Sequence, residues 1–230
     1  AGNLAIDVAE RLRDPDADER IVDRPDNIEP VFGSSMWSPG SMSHGLAGTS
    51  LMYSLLAASN PHYCELAHRH LQGAVRSISW NTRGGLMGGP AGILAAAQGA
   101  SGAGAQYRGL REKLTAWLTA VQMRMVREYS DSLKKGVHWF AYDLMNGVTG
   151  VLRILIDETS PDAREAVKIS TDYLCSHILK QGKSGLPGWW VPSELEPVEQ
   201  DRFAYPHGDL NLGIAHGVTG VIAVLTTVAE

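Results

Sequence analysis

Cysteine is almost missing from this chain: two residues in 230, Cys64 and Cys175, with no Cys-x-x-Cys spacing. That excludes a disulfide framework, and two thiols so far apart in sequence make no zinc site by themselves. Both fall on helical stretches and are expected to be buried in the core, as free cysteines commonly are. An excess of positive charge is also lacking. The net charge is −5, from 20 basic and 25 acidic residues. No basic stripe is present to track phosphates, so nucleic acid is not expected as a partner. The mixed-charge stretches at 11–24 and 110–113 imply no partner either. No apolar run is long enough to cross a bilayer. The opening residues, Ala-Gly-Asn-Leu-Ala-Ile-Asp, lack the basic region and apolar block of a signal peptide. A cytoplasmic location is the expectation. Alternating stretches that would argue for strands are missing too.

What the chain does have is a turn that occurs four times. It reads Ser43-His44-Gly45-Leu46-Ala47-Gly48, Gly88-Gly89-Pro90-Ala91-Gly92, Asn146-Gly147-Val148-Thr149-Gly150 and His216-Gly217-Val218-Thr219-Gly220. In each copy two glycines stand three residues apart, and an almost wholly apolar run follows: 49–58, 93–100, 151–156 and 221–228. Recurrence of this kind marks a repeat architecture. The first glycine is expected to take a backbone angle that a Cβ resists, and the second to let a neighbouring element come close.

Helical periodicity fills the spaces between the turns. Between 106 and 128, Leu110, Leu114, Trp117, Leu118, Val121 and Met125 share one face. Between 161 and 179, Val167, Thr171, Leu174 and Ile178 do the same, behind a Ser160-Pro161 helix start. Between 61 and 78, Ala67, Leu71, Val75 and Ile78 line up, with Asn60 as the expected cap. The chain therefore reads as all-α. Short apolar helices alternate with longer amphipathic ones, an inner and an outer helix per repeat. That pattern predicts an α/α toroid, a double α-barrel of helical hairpins whose turns face a shared opening. Residues 1–230 are read as one such domain, with a long loop insertion at 182–212 that holds Trp189 and Trp190. The fourth inner helix has no outer partner in this sequence. The toroid is thus expected to be incomplete, as the front of a longer polypeptide would be, the alternative being that another chain supplies the rest.

The polar residues at these turns allow more than one reading. His44 and His216 occupy the same slot, just before the first glycine. A histidine there can simply satisfy backbone groups of the turn, and Asp143 can be a plain helix-entry cap. His68 and His70 are two apart on a helix and so face apart. His62, His138 and His177 read as ordinary surface or core histidines. His207 either lines an opening or sits in solvent, and Trp189 and Trp190 either wall that opening or cover the end of the barrel.

Three segments together carry a family resemblance. They are Trp37-Ser38-Pro39-Gly40-Ser41-Met42-Ser43-His44-Gly45, Tyr142-Asp143-Leu144-Met145-Asn146-Gly147-Val148-Thr149-Gly150 and Leu212-Gly213-Ile214-Ala215-His216-Gly217-Val218-Thr219-Gly220. From about Val31 to the end, the chain resembles the lanthionine synthetase C family, the lanthipeptide cyclases. Gly188-Trp189-Trp190 with Pro206-His207-Gly208-Asp209 is similar to the stand-alone cyclases of actinobacterial class I pathways.

The resemblance implies a toroid of seven hairpins, of which this chain would hold about four. It implies ring closure in a precursor peptide, by addition of cysteine thiols to dehydroalanine or dehydrobutyrine. The partners it implies are that dehydrated peptide and the dehydratase of the pathway. It also implies a zinc ion held by two cysteines and a histidine, in Trp-Cys-x-Gly and Cys-His-Gly motifs. Neither motif occurs here. The zinc ligands are therefore expected outside this chain, and the stretch alone is expected to be inactive.

Under the same resemblance, His216 is the candidate proton donor to the enolate that the addition creates. Asp143 would hold its imidazole in one tautomer. His207, Trp189 and Trp190 would contact substrate. One competing reading is a non-catalytic cyclase-like scaffold that binds the precursor peptide or the dehydratase. Another is a helical-barrel glycoside hydrolase using Asp143 and Asp209, which leaves His216 without a task.

Overall fold

The computed structural model describes residues 2–22, 24–30, 33–80, 83–101, 106–132, 136–181 and 185–229. Among them every long element is a helix, and extended pairing is limited to three isolated bridges. Two helices, α1 (Gly2–Arg11) and α2 (Pro15–Val22), precede the first turn. Then come α3 (Leu46–Ala57), α4 (Tyr63–Arg76), α5 (Pro90–Ser101), α6 (Arg108–Ser132), α7 (Val148–Leu155), α8 (Pro161–Tyr173), α9 (Glu199–Ala204) and α10 (Val218–Ala229). The apolar helices α3, α5, α7 and α10 each begin within one of the four glycine turns, and the amphipathic α4, α6 and α8 follow in alternation. The residues gather into two compact units, 1–82 with 87–112, and 83–86 with 113–230. The division falls inside α6.

The turns explain their glycines by space. A Cβ on Gly48 would run into the carbonyl oxygen of Met42, on Gly150 into that of Leu144, and on Gly220 into that of Ile214. In all three the obstacle is the carbonyl six residues upstream, so one backbone shape recurs. The first glycines meet the same limit: a Cβ on Gly147 would lie 2.7 Å from both the backbone nitrogen and Oδ1 of Asp143. Their backbone angles are ordinary, however. φ is −164° at Gly45 and −100° at Gly147. The expected need for an unusual backbone angle is therefore corrected: these glycines are required for close approach. Consecutive copies are also joined in the same register. Met42 N–H donates to Met87 O at 2.9 Å, and Leu144 N–H donates to Ala215 O at 3.1 Å.

In the first unit α3 packs on α4 and α5. Ser50 Oγ donates to Ala67 O at 2.9 Å, and Tyr53, fully buried, donates its hydroxyl to Ala9 O at 2.6 Å. The second bond seats α1 on the α3–α4 pair, around a core of Ala9, Tyr53, Tyr63, Leu66 and Ala67. His70 is fully buried, with Nδ1 2.7 Å from Thr49 Oγ1 and its ring 4.9 Å from that of Tyr53. His68, on the opposite side of α4, meets the Tyr107 hydroxyl and Gln72. Asn60 does not cap α4: its Oδ1 accepts the His62 N–H at 3.1 Å in a turn that delays the helix to Tyr63.

In the second unit α7 lies between α8 and α10. Val148, Val151, Leu152 and Leu155 are fully buried, each contributing roughly 1.5–3 kcal/mol of burial. Gln122 of α6, also buried, donates through Nε2 to Val148 O at 2.8 Å and to Ser170 Oγ at 2.9 Å. One side chain thus ties three helices. Ser160 caps α8 as expected, its Oγ accepting Ala163 N–H at 3.2 Å. The helix then widens into a π turn, Leu174–Ile178.

Both cysteines are exposed, which corrects the expected burial. On α4 the buried residues include Tyr63, Leu66, Ala67 and His70, and around the end of α8 they are Tyr173, Leu174 and Ile178. Cys64 and Cys175 each stand one residue past a buried position, and one residue is about 100° of helix rotation. The described part of the 182–212 insertion is an ordered strap. It holds a short helical turn, Ser193–Leu195, then α9, and a bridge between Val191 and Asp209 that fastens the fully buried Val191.

Two predictions concern this packing. Gly150→Ala will destabilise the protein by about 1–3 kcal/mol, because the collision is with backbone. Gly109→Ala, in α6 with open space around it, will be neutral or stabilising by up to about 1 kcal/mol. Urea unfolding checks both, and equal effects would refute the reading of the turn. His70 provides the second. Burial pushes its pKa from 6.5 down to about 4, so the folded state keeps it neutral where the unfolded chain takes up a proton. Its contribution is complete above pH 6.5 and is lost as the pH falls toward 4. Unfolding measured from pH 7 to pH 4 will show that loss, and it will be smaller in His70→Gln.

Candidate active site

The site grows from the short helical turn Trp139–Ala141, which leads into the third glycine turn. Its last bond, Asp143 N–H to Trp139 O at 2.8 Å, folds the chain so that the aspartate points inward. The Asp143 side chain is only 1 % exposed. Its two oxygens have separate tasks. Oδ1 accepts the Asn146 N–H at 3.0 Å, as a turn cap does, and Oδ2 lies 2.7 Å from His216 Nδ1. The cap and the histidine partner are therefore the same residue. Gly147 makes this possible, since any side chain there would occupy the space of the carboxylate.

His216 comes from the fourth turn, held beside the third by the Leu144–Ala215 hydrogen bond. Trp139 stacks on its imidazole, ring centres 4.8 Å apart and planes 25° apart. An ionised carboxylate only accepts hydrogen bonds. Asp143 therefore keeps the proton of neutral His216 on Nδ1 and leaves Nε2 as the basic edge. The side chain is 36 % exposed, and Nε2 has no hydrogen-bond partner among the described residues. A buried acid, a stacked ring and an open basic nitrogen make a group that can take up and return a proton. Trp139 was not singled out in the sequence. Its signal was its place four residues before Asp143, one helical turn upstream.

The other sequence candidates fall elsewhere in the second unit. Trp189 packs against the hydrophobic core. Trp190 donates through Nε1 to His207 O at 3.3 Å, and His207 itself is exposed. Neither tryptophan nor His207 hydrogen-bonds to the Asp143–His216 pair among the described residues. Close to the site's entry helix, the Arg83 guanidinium lies 4.5 Å over the Phe140 ring, and the His138 ring stacks on the same phenylalanine at 4.5 Å. In the first unit His44, the counterpart of His216, has Nδ1 2.7 Å from Ser43 Oγ. It does not serve the turn backbone. Ser41 Oγ does, accepting Ser43 N–H and His44 N–H at 3.1 Å each.

Among the described residues, no three histidine, cysteine, aspartate or glutamate side chains gather as metal ligands. Cys64 and Cys175 lie in different units. These residues do not fit the zinc site that the resemblance implies.

Four turn-and-helix units, with one histidine held by the carboxylate of the neighbouring turn, define an α/α-toroid protein. The comparisons agree. The chain matches the solved structure of nisin cyclase with a TM-score of 0.71 at 22 % identity, over 90 % of this chain and 50 % of that one. The nisin biosynthesis protein NisC of Lactococcus lactis subsp. lactis is 33 % identical over 87 residues, which are 36 % of this chain and 20 % of that protein. Residues 36–230 match the family described as lanthionine synthetase C-like protein, and the chain belongs to that family. It spans about half the length of the nisin cyclase chain.

One further titrating group sits in the strap. Glu196 is 1 % exposed, with neither carboxylate oxygen hydrogen-bonded among the described residues. Burial first, then the negative charges of Asp209 and Asp201, push its pKa from 4.5 up to about 7. The folded chain therefore holds a proton that the unfolded chain gives up. The stability this supplies is complete below pH 4.5 and is lost as the pH rises through 7. Glu196→Gln will raise the urea midpoint at pH 8 more than at pH 5. Equal shifts at both values would show that Glu196 is ionised throughout.

Proposed function

We propose that this chain serves a lanthionine cyclase, closing thioether rings in a dehydrated precursor peptide, with His216 and Asp143 as its proton-handling pair. The observation that carries this reading is the 2.7 Å contact between Asp143 Oδ2 and His216 Nδ1, within a chain of the lanthionine synthetase C-like family. The four turn-and-helix units are read as four of the family's seven hairpins. The dehydratase that makes the peptide's dehydroamino acids is the expected partner, and the cytoplasm the expected place.

The reaction joins a cysteine sulfur to the β-carbon of dehydroalanine or dehydrobutyrine. The new S–C bond forms as the C=C π pair moves onto the carbonyl oxygen, giving an enolate. The enolate then returns its electrons to the α-carbon, which takes a proton. No atom is lost, so the thiol proton and the α-carbon proton balance. Nε2 of His216 receives a proton from the thiol and supplies one to the α-carbon. Asp143 stabilises the imidazolium between those events, and Trp139 limits the ring's rotation. A thiol with a pKa near ~8.5 is mostly protonated at neutral pH, so a base at this point accelerates the addition.

The test is cyclisation of a dehydrated peptide in the full-length protein, followed by loss of free thiol in mass spectra after alkylation. His216→Ala will slow ring closure at least ~100-fold with an unchanged circular dichroism spectrum. Asp143→Asn will slow it about 10- to 100-fold, because the histidine loses its tautomer control. Normal rates in His216→Ala would remove the assignment.

A further inference from the structure

The first unit holds a cavity that the proposed chemistry does not use. Its volume is about 630 Å³, the size of a site for a small ligand or a short peptide segment. Part of one wall is the first glycine turn, with Ser43, His44, Gly45, Gly48 and Thr49. Another part comes from Leu12, Val22 and the stretch from Asp26 to Glu29. Those residues precede position 36, where the family match begins. The shared part of the fold therefore supplies one side, and a segment outside the match supplies another.

The lining has a consistent chemistry. Met36, Met42 and Met52 all face this space, three of the chain's seven methionines, together with Trp37. Unbranched, polarisable thioethers adapt to varied apolar partners, and clusters of them mark surfaces that accept more than one sequence. Ile28 and Met36, 45 % and 43 % exposed, leave apolar surface open at this cavity. Asp26 and Glu29 line the cavity, and among the described residues no lysine or arginine does. Ser43, His44 and Asn27 add hydrogen-bonding groups suited to peptide amides.

We infer that this cavity binds a segment of the peptide substrate in which apolar side chains stand next to a basic one. The inference rests on the cyclase reading for what that peptide is, and on the cavity alone for which segment it holds. Apolar side chains enter among the methionines and Trp37, and the basic group meets Asp26 and Glu29 at the rim. A site in the first unit, apart from the His216 turn, holds the substrate by a part that does not react. Different ring-forming residues can then be presented while the grip stays the same.

The probe is a fluorescein-labelled synthetic hexapeptide of alternating leucine and lysine, with a counterpart carrying glutamate for lysine. Binding to the full-length protein is read by fluorescence polarisation at low and high salt. The lysine peptide will bind at least ~10-fold more tightly than the glutamate peptide, and this preference will shrink as salt rises. Asp26→Asn with Glu29→Gln will weaken the lysine peptide about 5-fold or more. Met36→Ala will weaken it about 3-fold without changing the salt dependence. Asp26 and Met36 are exposed and Glu29 is half-buried, so a circular dichroism spectrum recorded for each variant verifies that it is folded before binding is compared. Equal binding of both peptides, or binding unchanged in the Asp26/Glu29 double variant, would overturn the inference. The same variants assayed for ring closure keep the two readings apart. Normal cyclisation with unchanged binding in the double variant removes the cavity proposal alone. A charge-dependent loss of binding in a protein that closes no rings removes the cyclase reading and leaves the cavity.

Discussion

A backbone carbonyl pressed against a glycine, where no Cβ fits, is the constraint on which the rest of this structure depends. It occurs at Gly48, Gly150 and Gly220, each time against the oxygen six residues upstream. Such contact lets an irregular loop enter an apolar helix within a few residues. Those helices, α3, α7 and α10, have little polar surface, and their first turns must be satisfied by whatever the loop brings. The register bonds, Met42 to Met87 and Leu144 to Ala215, exist because each loop lies flat enough to meet the next. Larger residues at these glycines would lift the loops and separate the turns that bring Asp143 to His216.

Asp143 shows how a second contact is added to such a turn at small structural cost. A carboxylate at a helix entry commonly caps backbone N–H groups. Here one oxygen does that for Asn146 and leaves the other for His216. The acid is buried, yet its hydrogen bonds come from groups that must be placed there for the turn to form at all. The histidine is thereby oriented by an element already rigid, which is the condition for a proton-transferring group to hold its geometry. Trp139 completes the support from one helical turn upstream. The first turn carries His44 in the same slot but pairs its Nδ1 with Ser43. The repeat thus keeps the histidine position while the partner decides its use.

The two units carry complementary features. The second contains the acid–histidine pair, and the first contains a methionine-lined cavity with an acidic rim. Each is built partly from a glycine turn. Their pH responses are opposed as well: His70 in the first loses its contribution on acidification, and Glu196 in the second loses its contribution as the pH rises. Both follow from burying an ionisable side chain without enough partners for its charged form.

Much of this was readable in the residues. The repeated glycine pairs and the 3.6-residue apolar period determined a helical repeat protein, because both depend on neighbours a few positions away. The family motifs added Asp143 and His216. Other features depended on contacts distant in sequence. The backbone angles of Gly45 and Gly147 proved ordinary, since their requirement comes from atoms packed against them. Cys64 and Cys175 face solvent, because helix phase within one residue is set by which neighbour arrives to cover it. Asn60 caps a turn instead of α4, and Trp189 belongs to the core while Trp190 braces the strap. Sequence by itself determined the helices, their turns and the presence of an acid and a histidine at two of those turns. Only the tertiary structure decided that Asp143 reaches His216 across 73 residues, because that contact exists only where two separate turns share one register hydrogen bond.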